Sequence, residues 1–271
     1  MRPRIAIHKF SSCDGCQLAL LNAGESLLTL AEQVVFVHFA EAGYLDEEAE
    51  VDIALVEGSL STAQELRRIA AIRQRSRYLI AIGACATSGG IQALRNHADA
   101  DRWLGAIYQQ PAAIDLRPTA TPLADHVRID LAIPGCPVSG AQLLPILRDL
   151  IAGVRPQLSH ERVCSECKRN HFPCVMVTAN RPCLGAITAA GCGALCPSLG
   201  RDCYGCYGLA EQANVAAMSA QFQQQGLSAR AVAQRLQLIH SQAPALHDEA
   251  ARWLAAAQES EVDADSRGQK R

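Results

Sequence analysis

Eight of the twelve cysteines in this 271-residue sequence fall between Cys164 and Cys206, in a stretch rich in Gly, Pro and Arg with hardly any continuous apolar run. A segment of that kind cannot build a core of its own and needs covalent or metal staples to become ordered. Disulfides are the first possibility to weigh. The chain starts a strand-like segment almost at once, at Met1-Arg-Pro-Arg-Ile-Ala-Ile-His8, which leaves no room for a signal peptide or twin-arginine leader. No apolar run approaches the roughly 18 to 20 residues that span a bilayer. The expected location is therefore cytoplasmic, where thiols stay reduced unless a metal or a catalytic cycle claims them. Metal ligation becomes the leading reading of the cysteines. A formal net charge of only −2 carries no electrostatic footprint for nucleic acid or an anionic membrane, so partners are to be found by shape and apolar contact.

The rest of the chain has a different grammar. Residues 4 to 150 alternate short apolar strands with helical stretches, the pattern of a parallel sheet covered by helices. Strands are expected at Arg4–Phe10, Gln33–Phe39, Val51–Glu57, Tyr78–Ile82 and Val127–Pro134, with helices at Gln17–Leu30, Ala63–Arg75 and Ser139–Ile151 and Ser61, Thr62 and Ser139 as candidate caps. Five such strands predict an α/β, flavodoxin-like doubly wound domain over residues 1–153. A Cys-rich domain with little regular structure and C-terminal helices follows over 154–259. Its helices are expected at Leu209–Gln225, Ser228–Ile239 and from near Pro244 through Trp253, and the polar residues 260–271 read as an unstructured tail.

Cys13 and Cys16 form a C-x-x-C directly after the first strand, Cys85 follows the fourth in Gly83-Ala-Cys85-Ala86, and Cys136 follows the fifth in Pro134-Gly-Cys136-Pro137. All four thus sit at carboxyl ends of strands, which in an open parallel sheet line one rim. Four thiolates converging there can hold zinc or a 4Fe-4S cube, and spacing alone does not choose between them. The Cys-Pro at 136–137, as in bacterial ferredoxins, and the glycines at 15, 83 and 135 that let backbone amides approach bridging sulfides tilt toward iron. The bland reading is four cysteines packed as small hydrophobes. Cys164, Cys167, Cys174, Cys183, Cys192, Cys196, Cys203 and Cys206 divide evenly into two further sets of four, and two structural zincs would explain these as well. His160 and His171 lie nearest and are read as solvated loop residues or, less simply, as ligands.

Four ordered motifs carry a specific resemblance: Lys9-Phe-Ser-Ser-Cys13-Asp-Gly-Cys16-Gln17, Val56-Glu-Gly-Ser59, Gly83-Ala-Cys85-Ala86 and Pro134-Gly-Cys136-Pro137. Together they are similar to the N-terminal half of NiFe-hydrogenase small subunits of the cytoplasmic, cofactor-coupled kind, and the likeness extends over roughly residues 4 to 210. The resemblance implies a proximal cluster on Cys13, Cys16, Cys85 and Cys136. It implies a distal cluster on Cys164, Cys167, Cys174 and Cys183 and a medial one on Cys192, Cys196, Cys203 and Cys206, since Cys183 and Cys192 keep the family's eight-residue gap and Cys203-x-x-Cys206 matches its closing pair. Periplasmic members use a His where Cys164 stands and have no counterpart of the thiol of Cys196, so the expectation here is three all-cysteine 4Fe-4S clusters. Glu57 is implied at an interface or in proton movement, although a helix-capping or salt-bridged Glu fits the residue equally well.

No nucleophile and base arrangement, P-loop or G-x-G-x-x-G is visible, so the chain is expected to wire a reaction rather than perform it. The resemblance implies a NiFe centre on a large subunit and flavin/NAD(P)-binding, iron–sulfur diaphorase-type partners, with no membrane span. A small subunit of a complex-I-like quinone or deazaflavin-linked oxidoreductase is the nearest rival, although the quinone-reductase group has an adjacent Cys-Cys pair that is missing here. A zinc-stapled scaffold is the rival from another class.

Overall fold

The computed structural model describes residues 2–268, with side chains to residue 259. The chain forms two compact units, Met1–Leu158 and Ser159–Arg271. The first extends five residues past the boundary expected at 153/154, because Leu158 packs against the core of the sheet.

The strands of the first unit are β1 (Arg4–Lys9), β2 (Val35–Phe39), β3 (Tyr44–Leu45), β4 (Val51–Glu57), β5 (Ser76–Ile82) and β6 (Leu131–Ile133), in the order β3-β2-β1-β4-β5-β6. All neighbours pair parallel except β2 and β3. Without the two-residue edge strand β3, the order is that of the flavodoxin-like doubly wound fold. Period-2 alternation divides each strand between two cores. Ile5, Ile7, Leu55, Ile80 and Ile82 face one side, and Ala6, Val56, Leu79 and Ala81 face the other. Helices α1 (Gly15–Leu21) and α2 (Glu25–Gln33) cover the first face, α3 (Ala63–Arg75) covers the second, and α6 (Gly140–Ile151) returns to the first through Leu143 and Leu147. Between them in sequence lie α4 (Gly83–Ser88) and α5 (Ala100–Ile107).

β4 and α3 have the expected ends, and other elements differ for local reasons. The helix expected at Gln17–Leu30 is two helices, because Gly24 (φ 57°, ψ −127°) breaks it in a conformation that other residues avoid. The last strand is shorter than Val127–Pro134: ahead of it Asp130 N donates to Leu79 O (2.9 Å) while Leu79 N donates to the Asp130 carboxylate (2.8 Å). Thr62 is the true cap of α3: its hydroxyl accepts from Glu65 N at 3.1 Å while Glu65 accepts from Thr62 N at 3.0 Å. Ser139 precedes α6 without a side-chain cap bond.

The second unit opens with short helices α7 (Val163–Arg169), α8 (Val175–Ala179) and α9 (Leu195–Ser198). It closes with α10 (Val215–Gln224), α11 (Ala229–Leu236) and α12 (Pro244–Gly268). Phe222, Val232, Leu236 and Trp253 join the closing helices in one core that also takes in Leu184 and Ile187 of the Cys-rich stretch. Helix α10 starts at Val215 rather than Leu209 because Asn214 caps it through Ala217 N. Helix α12 runs through residues 260–268, where a tail is expected, carried on from Ala255, Ala256, Ala257, Gln258 and Glu259 with their high helix propensity. The expectation for residues 269–271 lies outside the described residues.

Candidate metal centre

The strand order reverses between β1 and β4; Cys13 lies in the loop leaving β1, Cys16 in the first turn of α1 that follows it, and Glu57 ends β4. Cys85 lies in α4 directly after β5, and Cys136 directly after β6. The parallel sheet thus delivers four segments to one rim, as the placement of the cysteines at strand ends implies. Burial first, and then the thiols of Cys136 and Cys13 and the carboxyl of Glu57, raise the pKa of Cys85 to about 12. Cys16 is raised first by burial and then by Glu57, with Cys85 and Cys136 adding to it. Cys136 is raised by burial, Cys13 and Glu57. Cys13, Cys85 and Cys136 each oppose the ionisation of their neighbours, so the set calls for positive charge among the sulfurs.

Two features of the backbone shape this crevice. Gly83 has φ +82°, and a Cβ on it would stand 2.4 Å from Cys16 Sγ, so no larger residue fits beside that thiol. Glu57, 2% exposed, accepts from Cys16 N at 3.1 Å and Gln17 N at 3.2 Å, where α1 leaves its first amides unpaired. Its carboxylate therefore orients the Cys16 turn, and burial raises its pKa against the lowering effect of those two N–H groups. Of the two roles open to Glu57 in the sequence, capping is the one the geometry displays. The thiol of Cys85 donates to Gln92 Oε1 at 3.0 Å, a contact that no sequence signal announces.

In the second unit, Cys164 and Cys167 lie on α7, Cys174 just before α8 and Cys183 in the following loop. Burial and then Cys183 and Cys174 raise Cys164, and burial followed by Cys164, Cys183 and Cys174 raises Cys167 to about 11. These four thiols are neighbours by their mutual charge. Burial and then Glu166 and Cys196 raise Cys192 against the lowering effect of the Leu195 and Ala194 amides, and burial, with Cys183 and Cys206 adding to it, raises Cys203 to about 12. The loop of Cys203 and Cys206 is fastened from the closing helices. Arg235 pairs with Asp202 and donates to Cys203 O at 2.8 Å, and His240 Nε2 lies 3.0 Å from Cys206 O. His160 pairs with Glu211 at 2.7 Å and His171 is exposed, so neither faces a thiol set.

Sequence reasoning missed Glu166, the residue between Cys164 and Cys167. It is buried, and its carboxylate accepts from Gly191 N (2.9 Å), Gly193 N (3.1 Å) and Ala194 N (3.0 Å). A Glu inside C-x-x-C reads like any solvated charge, and only the return of the chain 25 residues later gives it donors.

The donor chemistry fits iron–sulfur ligation: no cysteine is tied up in a disulfide, and the rim and loop backbones close in on the sulfurs. Among the described residues, no three His, Cys, Asp or Glu side chains gather about one point as a single metal ion requires.

The family model described as the NADH ubiquinone oxidoreductase 20 kDa subunit matches residues 13–150. Sulfhydrogenase 2 subunit delta of Pyrococcus furiosus is 38% identical over 216 residues, covering 79% of this chain and 90% of the relative. This chain belongs to the hydrogenase small-subunit family. As a member it is a component of an oxidoreductase acting on dihydrogen. The iron-sulfur subunit of the F420-non-reducing hydrogenase of Archaeoglobus profundus is 23% identical over 267 residues, covering 77% of this chain and 83% of the relative. Among solved structures, a chain of a NAD+-reducing [NiFe]-hydrogenase in the H2-reduced state superposes with a TM-score of 0.54 at 30% identity, covering 59% of this small subunit and 96% of that chain.

Proposed function

We propose that this small subunit is the electron-transfer subunit of a cytoplasmic NiFe hydrogenase, linking the NiFe site of a large subunit to a flavin/NAD(P)-binding, iron–sulfur partner assembly through three 4Fe-4S clusters. Cys13, Cys16, Cys85 and Cys136 would hold the proximal cluster. Cys164, Cys167, Cys174 and Cys183 would hold the distal one, and Cys192, Cys196, Cys203 and Cys206 the medial one. A cluster of this type supplies one-electron storage at a potential set by its ligands, hydrogen bonds and burial. The chain's own residues do the rest. Glu57 orients the Cys16 turn, Gly83 leaves room for that thiol, and Arg235 with His240 fastens the Cys203–Cys206 loop.

The observation that carries this reading is the convergence of four thiols from three separate segments on one rim, where Cys13, Cys85 and Cys136 raise their neighbours' pKa. A thiol set of that kind binds a cationic core with release of protons. The linkage to NAD(P) is supported by the 30% identical NAD+-reducing structure. The cytoplasmic placement is supported by the thiols, which are all free of disulfides as in a reducing compartment. Among the described residues, no helix is long and apolar enough to cross a membrane. The family model's description favours a second reading, a small subunit of a quinone reductase, but eight of the cysteines lie beyond its span of 13–150. The deazaflavin-linked alternative differs only in the partner, and the subunits that copurify with the native complex decide it.

Anaerobically purified protein is expected to contain about twelve irons and twelve acid-labile sulfides per chain, at four of each per cluster. Zinc in their place, in a colourless protein, would return the chain to a structural scaffold.

A further inference from the structure

Glu166 stands on α7 between Cys164 and Cys167, and its carboxylate is spent on a loop that belongs to a different thiol set. Oε1 accepts from Gly191 N and Gly193 N, and Oε2 accepts from Ala194 N and lies 3.8 Å from Cys192 Sγ. The loop is not one the backbone would adopt unaided. Gly193 has φ +65°, and Ala194 sits at φ 55°, ψ 40°, fully buried, in a left-handed conformation that costs a non-glycine residue roughly 1 kcal/mol. Successive amides aimed at one point form a concave anion nest, and here the anion is a side chain of this chain.

The same contact sets charge. A buried negative charge beside a ligand sulfur favours the oxidised, less negative state of a bound redox group, and net charge is among the factors that tune such potentials. We infer that Glu166 is a positioning residue shared by two sets: it shapes the Gly191–Ala194 loop so that Cys192 can serve as a ligand, and it holds down the potential of the cluster that Cys192 helps to bind. This rests on the reading of Cys192, Cys196, Cys203 and Cys206 as one cluster's ligands.

The test uses the full chain in its anaerobically purified native complex. Glu166→Gln keeps the size of the side chain, removes the charge and turns an amide N–H against Ala194 N. It is expected to retain about twelve irons while the midpoint of the cluster bound by Cys192, followed by electron paramagnetic resonance during redox titration, moves upward, that of the cluster bound by Cys167 moves upward less, and the proximal one stays in place. Glu166→Ala releases the loop and is expected to lose about four irons. An iron-replete Glu166→Gln protein with all three midpoints unchanged, or a Glu166→Ala protein with its full iron, overturns the inference. Wild-type protein without three clusters would instead overturn the reading beneath it. A merely structural carboxylate would not move a midpoint in a variant that keeps its iron.

Discussion

Cys203 N donates to Cys183 Sγ at 3.2 Å, and Leu184 N donates back to Cys203 O at 3.1 Å. The last thiol of the proposed distal set is therefore hydrogen-bonded to a residue of the proposed medial set. Hydrogen bonds to ligand sulfur are one of the factors that set a cluster's potential, so the two sets are not independent.

That contact separates two otherwise equivalent substitutions. Cys183→Ala and Cys174→Ala are each expected to lower the iron content by at least about one, since each deletes a ligand of one cluster. Only Cys183→Ala also strips the acceptor from Cys203 N, and it is expected to alter the paramagnetic resonance spectrum of the neighbouring cluster, whereas Cys174 is exposed and its replacement should leave that spectrum as it is. Identical spectra of the remaining clusters in the two variants would show that the bond carries no influence.

Cys196, the proposed fourth ligand of the medial cluster, sits in α9 ahead of Pro197. Cys196→Pro is expected to leave Cys192, Cys203 and Cys206 holding a 3Fe-4S core, lowering the iron count by about one. The medial potential should rise, so that transfer toward a low-potential nicotinamide suffers more than transfer to a high-potential dye. An oxidised 3Fe-4S core is paramagnetic and an oxidised 4Fe-4S cluster of this kind is silent. A variant that keeps all its iron and shows no new oxidised-state signal would require the medial set to be redrawn.

His8 and His38 stack with ring centroids 4.7 Å apart, and His8 is 2% exposed. Burial, then His38, Arg68 and Arg75, lower the pKa of His8 to about 3, and burial also lowers that of His38. An unfolded His titrates near 6.5, so below that pH the unfolded chain takes up a proton that folded His8 refuses. The stability His8 contributes as a neutral ring is complete above pH 6.5 and is lost as pH falls toward 3, by about 2 kcal/mol at pH 5. Equilibrium unfolding from pH 7 to pH 5 should therefore show a shallower pH slope in His8→Leu than in wild type. Parallel slopes would remove His8 as the cause.

Much of this was legible in the residues themselves. The ends of β4 and α3 follow from apolar periodicity and a Thr-x-x-Glu box, both local signals that propagate over a few residues and need no partner. Strand-end loops are equally local, so Cys13, Cys85 and Cys136 could be assigned to one rim once the sheet was known to be parallel. Tertiary packing decided the rest. Strand β3 is two residues long and carries no period of its own, and at the start of β6 the Asp130 carboxylate accepts from Leu79 N, a partner 51 residues away. Glu57 and Glu166 look alike in sequence as isolated carboxylates with no local partner. One finds the Cys16 and Gln17 amides about 40 residues away, and the other finds a loop 25 to 28 residues ahead. A buried carboxylate is tolerated only where it meets donors, and donors that distant in the chain are supplied by the fold.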